Sequence, residues 1–379
     1  MRTVGVEEEL LLVESGSGRA LSKAGQVLRR AAAERAEPAV ATGLDPAASE
    51  VVGALEKELQ QQQIETGTAP HSDLTTLEED LRQWRRTAID AARHNGARVA
   101  AIATSPVPVE PRIVNDERFD RMTQRFGLTT AENLTCGCHV HVSVESRDEA
   151  VGVIDRIRPW LPILVALTAN SPFWQGQDTS YASFRTQAQG RWPTAGPTEL
   201  FGSAQAYDDL VRRMVASDTV LDSAMIYFDA RASEHYPTVE VRVADVCTDV
   251  GDTVMLAGLA RALVTTAAAQ WAAGDPAPPV PIAMLRLASW QASRAGVSAN
   301  LLEPLTGLPR PASDVVGEFL EHVGPALRES GDDADVTAAV GTVLSRGTGA
   351  DRQRATWEQT GDLADVVAQA GRITAGHDS

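Results

Sequence analysis

Thr3-Val4-Gly5-Val6-Glu7-Glu8-Glu9-Leu10-Leu11-Leu12-Val13 opens the chain as a strand, apolar at both ends with three carboxylates in its middle. Successive strand side chains point to opposite faces, so Glu7 and Glu9 share one face and Glu8 takes the other. Two like charges on one face repel, and burying them is costly without a counter-charge. A divalent cation resolves both problems, because hard cations such as Mg²⁺ take carboxylate oxygens. The strand therefore reads as one wall of a metal site. The competing reading is an edge strand with one wetted face.

Working outward, two further stretches alternate in the same way: Cys138-His139-Val140-His141-Val142-Ser143-Val144 and Thr238-Val239-Glu240-Val241-Arg242-Val243. Each places ligand-capable side chains at i and i+2, His139 with His141 and Glu240 with Arg242. A lone histidine is more often a satisfied core residue, and Glu240 with Arg242 could be an ordinary surface ion pair. All three pairs interrupt otherwise apolar strands, however, and that favours a shared polar site. Glu58 and Glu65 form a fourth candidate. Glu65 reads as the end of a strand, whereas spacing alone favours a solvated helix face for Glu56 and Glu58.

Between these strands, Ser72 can cap a helix with Leu74, Leu77, Leu81 and Trp84 at helical spacing. Ala97 to Thr104 reads as a buried strand, and Asp148 to Thr168 as an amphipathic helix made irregular by Pro159 and Pro162. Lys23 to Glu37 is helix-like, and Val51 to Glu65 is mixed. Asn170 to Thr198 lacks periodicity and is dense in Pro, Gly, Trp, Gln and Arg. A loop of that length inside a compact domain is usually functional. Its Tyr181, Arg185, Arg191 and Trp192 combine fixed positive charge with flat apolar surface, suited to carboxylate or phosphate oxygens. A long Ala/Leu helix from about Thr253 to Ala273 precedes a Gly/Pro break and a helical remainder. Strands with helices grouped around them, without βαβ alternation, give an α+β class.

The 379 residues suffice for one large domain or two ordinary ones. The net charge of -17 argues against a nucleic-acid partner. It also requires metal ions and placed arginines to offset the field around any anionic substrate. No stretch reads as a membrane span, and the N-terminus lacks a signal-peptide layout, so a cytoplasmic protein is expected. The 3 cysteines, Cys136, Cys138 and Cys247, read as small buried residues rather than a disulfide framework. Neither GxxxxGK[ST] nor GxGxxG occurs, so a nucleotide would be held through metals and arginines.

Several runs together resemble one family. They are Val4-Gly5-Val6-Glu7-Glu8-Glu9, Gly137-Cys138-His139-Val140-His141-Val142, Ala169-Asn170-Ser171-Pro172-Phe173-Trp174, Tyr181-Ala182-Ser183-Phe184-Arg185, Arg191-Trp192-Pro193-Thr194-Ala195-Gly196-Pro197 and Thr238 to Val246. The chain resembles the glutamate–cysteine ligase type 2 family, and within it the YbdK-like carboxylate–amine ligase branch, from the N-terminus to about residue 270. The resemblance implies a glutamine-synthetase-like catalytic fold, a curved antiparallel sheet forming a funnel wrapped by helices. It implies a single catalytic domain over 1–379, with the sheet-bearing core in 1–273 and a helical part in 280–379.

The resemblance further implies an ATP-dependent ligase that phosphorylates the γ-carboxylate of L-glutamate and joins it to L-cysteine or another amine. Two or three Mg²⁺ ions, with Mn²⁺ as a substitute, would be held by Glu7, Glu9, Glu58, Glu65, His139 and Glu240. Arg242 would face the transferring phosphoryl group, with His141 just behind the ligands. Arg185 is expected in catalysis and substrate binding, with Arg191, Tyr181, Asn170 and Trp192 on substrate or nucleotide. The 170–198 loop would be the lid or rim that excludes water. A homodimer without nucleic-acid or membrane partners is expected. Two other readings use the same residues: a metal-dependent hydrolase, and a non-catalytic binding protein.

Overall fold

The computed structural model describes residues 1–42 and 55–377; Val51 to Ala54, part of the mixed stretch, lie outside the described residues. The strands are β1 (Val4–Val13), β2 (Leu55–Lys57), β3 (Gln63–Gly67), β4 (Arg98–Ala100) and β5 (Gly137–Ser143), then the small hairpin β6 (Phe173–Trp174) and β7 (Gln177–Asp178). They continue with β8 (Ala230–Ala232), β9 (Thr238–Asp245) and a second hairpin, β10 (Asn300–Leu302) and β11 (Pro309–Pro311). Seven of them form one antiparallel sheet in the order β2-β3-β1-β5-β9-β8, with β4 paired to β1. The opening strand is thus central, not an edge.

Register assembles the site. Glu7 pairs with His139, Glu9 with Glu65, and His141 with Glu240. Directly opposed residues share a face, so the polar side chains of four strands converge on one side. Between Cys138 and Val140 the register slips: Cys138 pairs with Ala244 and Val140 with Val241. The extra residue on β9 lies opposite His139, and a bulge there re-aims the Arg242 segment. The other side of the sheet carries Val4, Val6, Val140, Val142, Val239 and Val241, all buried. Each such side chain contributes roughly 1.5–3 kcal/mol on leaving water.

This apolar side packs on the helix Val250–Ala272, which also touches the helices Leu74–His94, Arg147–Ile157, Ala312–Ser330 and Asp333–Arg346. By length and apolar composition alone this helix could cross a membrane, contrary to the sequence reading that no stretch approaches a span. It is the central core helix, with 72% of its apolar window inside the protein, and only its C-terminal end, with Ala269, Trp271 and Ala272, is exposed.

Several boundaries differ from expectation. Asp73, not Ser72, caps the helix Leu74–His94 by accepting from the Thr76 N–H at 2.9 Å. The expected helix over Asp148 to Thr168 is two helices, Arg147–Ile157 and Leu161–Leu167. They break at Arg158-Pro159-Trp160, where Pro159 has no N–H to give. Both are buried nearly all round, so an amphipathic stripe is absent. Only Arg98–Ala100 of the segment 97–104 is strand. Glu56 lies in β2 and Glu58 directly follows it, so neither is helical. The hairpin β10–β11 interrupts the otherwise helical C-terminal part.

Candidate active site

The polar side of the sheet holds two clusters of metal-ligand type. Glu7, Glu65 and His139 form one, and Glu7, His141 and Glu240 the other; within each, donor atoms lie within 4.8 Å of one another. Glu7 belongs to both. It contacts His139 Nδ1 at 3.3 Å and His141 Nε2 at 3.2 Å.

The electrostatics follow from this crowding. Burial alone would raise the Glu7 carboxyl, but His139 and His141 outweigh it and hold it far below the usual carboxylate range. Burial, then the Glu58 charge, push Glu9 up to about 7, although Glu9 accepts the Gly137 N–H at 2.5 Å. Burial and Glu58 likewise push Glu65 well up. Burial and the Arg242 charge lower His139 to about 4. For His141, burial would lower the imidazole, but Glu7 wins and raises it. Glu240 is held at about 2 by Arg242 and Arg231 against the effect of burial. Arg231 donates to it at 2.6 Å, and Arg242 binds its other oxygen. A group of carboxylates that burial and mutual repulsion drive toward protonation, beside a neutral imidazole, is the donor set a hard divalent cation fits.

Two adjoining cavities open on this face. One, of about 270 Å³, is lined by Glu7, Glu9, Glu58, Glu65 and His139, with Trp192 and Arg231 on its walls. The second, of about 290 Å³, holds Asp229, Phe228, Arg286 and Trp290. Arg185, Gln189, Tyr227 and Arg242 line both.

Arg185 reaches this boundary because the loop that bears it is pinned. The Asp245 carboxylate at the end of β9 accepts from Asn170 N–H (2.8 Å), Ser171 Oγ (2.7 Å) and Ser183 Oγ (2.8 Å). Ser171 Oγ in turn accepts the Arg185 N–H. The guanidinium donates to the Arg242 and Val243 carbonyls at 3.3 and 3.4 Å, and its Nε has no hydrogen-bond partner among the described residues. It crosses β5 at Gly137, where any side chain would collide with it. These bonds tie residues 170–185 of the loop to the end of β9.

The sequence-predicted residues divide. Glu7, Glu9, Glu58, Glu65, His139, Arg185, Trp192 and Arg242 line the cavities; Glu240 and His141 lie immediately behind them. Asn170, Tyr181 and Arg191 line neither cavity. Asn170 is buried and spends its amide on the Ala101 and Val246 carbonyls, Thr248 and Gln353. Tyr181 packs edge-on to Phe184 and Trp290. Arg191 pairs with Glu132 at 2.7 Å. Sequence reasoning missed Arg231, Tyr227 and Asp229. The strand β8 has three residues, too few to show alternation, and no pattern marked them.

Comparison with known proteins is consistent with this geometry. The family model described as "Glutamate-cysteine ligase family 2(GCS2)" matches residues 3–369, which extends the likeness through the C-terminal helices. A Frankia alni protein named "Putative glutamate--cysteine ligase 2-2" is 51% identical over 367 residues, covering 97% of this chain and 95% of that one. A Streptomyces avermitilis protein with the same kind of name, numbered 2-1, is 50% identical over 378 residues, covering 99% and 100%. Among solved structures, glutamate–cysteine ligase of Francisella tularensis in complex with AMP superposes with a TM-score of 0.69 at 12% identity, covering 100% of this chain and 89% of that chain. That likeness establishes a shared fold.

Proposed function

The chain belongs to glutamate–cysteine ligase family 2 and is an ATP-dependent carboxylate–amine ligase; on that premise we propose that it activates the γ-carboxylate of L-glutamate and joins it to an amine, L-cysteine or another. The observation that carries this reading is the register that brings Glu7, Glu9, Glu65, His139 and Glu240 onto one face beside Arg242.

Glu7, Glu65 and His139, and Glu7, His141 and Glu240, would hold Mg²⁺, with Glu9 and Glu58 beside the first cluster. Bound there, the ions would supply charge neutralisation at the phosphate oxygens, the main demand of phosphoryl transfer. Arg242 and Arg185 present fixed positive charge where an anionic carboxylate and an anionic phosphoryl group meet. Glu240, itself held by Arg231, accepts from Arg242 and so fixes its position. A carboxylate oxygen of glutamate attacks the terminal phosphorus of ATP and ADP departs. The amine nitrogen then attacks the acyl carbon, phosphate departs and a proton is lost. An acyl phosphate hydrolyses readily, so a rim that limits water protects it. A cytoplasmic homodimer fits the same reading.

The test is ADP or phosphate release with ATP, Mg²⁺ and L-glutamate, adding cysteine and then other amines singly. Turnover that requires glutamate and rises sharply with one amine supports the reading and names the acceptor. Metal-dependent hydrolysis without nucleotide would transfer the site to the hydrolase reading, and no turnover to the binding-protein reading.

A further inference from the structure

The C-terminal part of the chain reaches the loop that carries Arg185. The helix Gly349–Thr360 begins against Ala169 and Asn170. Its Ala350 N–H donates to the Ala169 carbonyl at 2.9 Å, and a side chain at Gly349 would collide with the Asn170 amide. One turn on, Gln353 Nε2 donates to both oxygens of Asn170, the backbone carbonyl at 2.9 Å and Oδ1 at 2.7 Å. Arg354, next along the helix, pairs with Asp178 at 2.7 Å and donates to the Tyr181 carbonyl at 2.9 Å. From Asn170 a continuous polar chain leads to Arg185. Asn170 N–H and Ser171 Oγ donate to one oxygen of the Asp245 carboxylate, Ser183 Oγ donates to the other, and Ser171 Oγ accepts the Arg185 N–H. Gln353, Asn170, Ser171, Ser183, Asp245 and Arg185 are each no more than 5% exposed, so water does not compete for these bonds.

Resting on the ligase reading above, we propose that Gln353 is a positioning residue for the reaction: through Asn170 and Asp245 it sets where the Arg185 guanidinium stands between the two cavities.

The loop needs such a support. Gln175 and Ser180 within it take φ values of 51° and 63°, a left-handed conformation that residues with side chains hold only when their surroundings impose it. A side-chain amide has two N–H donors, and Gln353 aims at a single residue, Asn170, with its Nε2. An apolar side chain of the same volume would serve packing equally well, whereas a satisfied buried polar network selects one geometry. Arg185 cannot absorb a shift of its backbone by swinging its side chain, because the guanidinium crosses β5 at Gly137 in space that a Cβ would fill. A displacement at Asn170 is therefore passed on to the guanidinium that lines both cavities. Charge stabilisation in phosphoryl transfer depends on such placement, and a misplacement of about 1 Å costs up to about a hundredfold in rate.

The experiment is a double-variant cycle on the full chain, read by ADP release with ATP, Mg²⁺, L-glutamate and the amine that supports turnover, well below the Tm of every variant. Gln353→Met keeps the volume of the side chain and removes both donors. It is expected to lower kcat about fivefold while the KM values for ATP and glutamate stay within about twofold. Added to Arg185→Ala, the same substitution is expected to cost less than about twofold more, because the group it positions is already gone. A role in stability alone would lower both backgrounds by the same factor. Should Gln353→Met not fold, Gln353→Asn, an amide one methylene short of Asn170, decides by the same cycle. Losses that multiply, an unchanged kcat, or a raised KM with kcat intact overturn the inference. A wild type that releases no ADP with any amine would instead defeat the ligase reading, and the inference with it, before any variant is compared.

Discussion

On β1, Glu8 and its neighbours Glu7 and Glu9 are the same chemical group on opposite faces of one strand, and the two faces treat the charge in opposite ways. Glu8 is fully buried and completely satisfied. Arg85 meets it with a two-pronged pair at 2.9 and 2.6 Å, and Thr253 donates a third bond at 2.8 Å. The remaining Arg85 donors reach the Thr248 and Cys247 carbonyls. Glu9 has a single backbone donor and a like-charged neighbour, and Glu65 has more like charge still. One face has settled its charge with a counter-ion inside the protein. The other leaves Glu9 and Glu65 as crowded carboxyls that burial and like charge push toward protonation, a strain an added cation would relieve. The contrast teaches that a charge in a core strand is structural or functional according to whether the protein itself completes its partners.

The strongest way to break the contrast is to strip the Glu8 face. Arg85→Met leaves a bare buried carboxylate and is expected to cost about 3–5 kcal/mol of folding stability, read by denaturant unfolding. The double variant Glu8→Leu with Arg85→Met should recover most of that loss, since an apolar pair of similar volume is tolerated there. A single variant as stable as wild type would mean that the pair is wet in solution. On the opposite face, Glu7→Gln keeps shape and removes charge. It is expected to lower kcat/KM by a hundredfold or more, about 3 kcal/mol, and to raise the Mg²⁺ concentration needed for half-maximal activity. Unchanged Mg²⁺ dependence would put Glu7 outside the metal site. Glu65→Gln should stabilise the metal-free protein, by about 1 kcal/mol, because it deletes one of the crowded charges. The Tm gain on adding Mg²⁺ should shrink in parallel. Destabilisation by this variant would show that Glu65 is already satisfied without a cation.

The period-2 alternation made this face legible in sequence. Glu7 with Glu9, His139 with His141 and Glu240 with Arg242 announced themselves because strand geometry fixes side-chain direction over two residues. The register between strands was not legible, since it depends on turns and on the bulge opposite His139. Arg85 was invisible as the partner of Glu8: it lies 77 residues away on a helix whose exposed face carries other arginines. The break at Pro159 was visible as an irregularity, but two helices rather than one emerged only from packing. In the 170–198 loop, residue type signalled function, yet nothing in composition could tell an arginine aimed inward from one aimed at solvent.

That last ambiguity yields the smallest effect and a sharp test of the same lesson. Arg185 and Arg191 lie six positions apart on one loop, and both looked suited to an anionic substrate. Arg185 is 5% exposed, lines both cavities and has an unpartnered Nε, so the protein leaves part of its bonding capacity unused. Arg191 sits at the surface and spends its charge on Glu132. Arg185→Ala is expected to lower kcat/KM by more than threefold, about 0.7 kcal/mol or above. Arg191→Ala should stay within about threefold in kcat/KM and about 0.5 kcal/mol in stability, the range of an exposed pair. The decisive quantity is the ratio of the two losses under identical substrate concentrations. A ratio near one, or a larger loss at Arg191, would mean that the loop rearranges on substrate binding and swings Arg191 inward, and the rim would then be the lid that the composition first suggested.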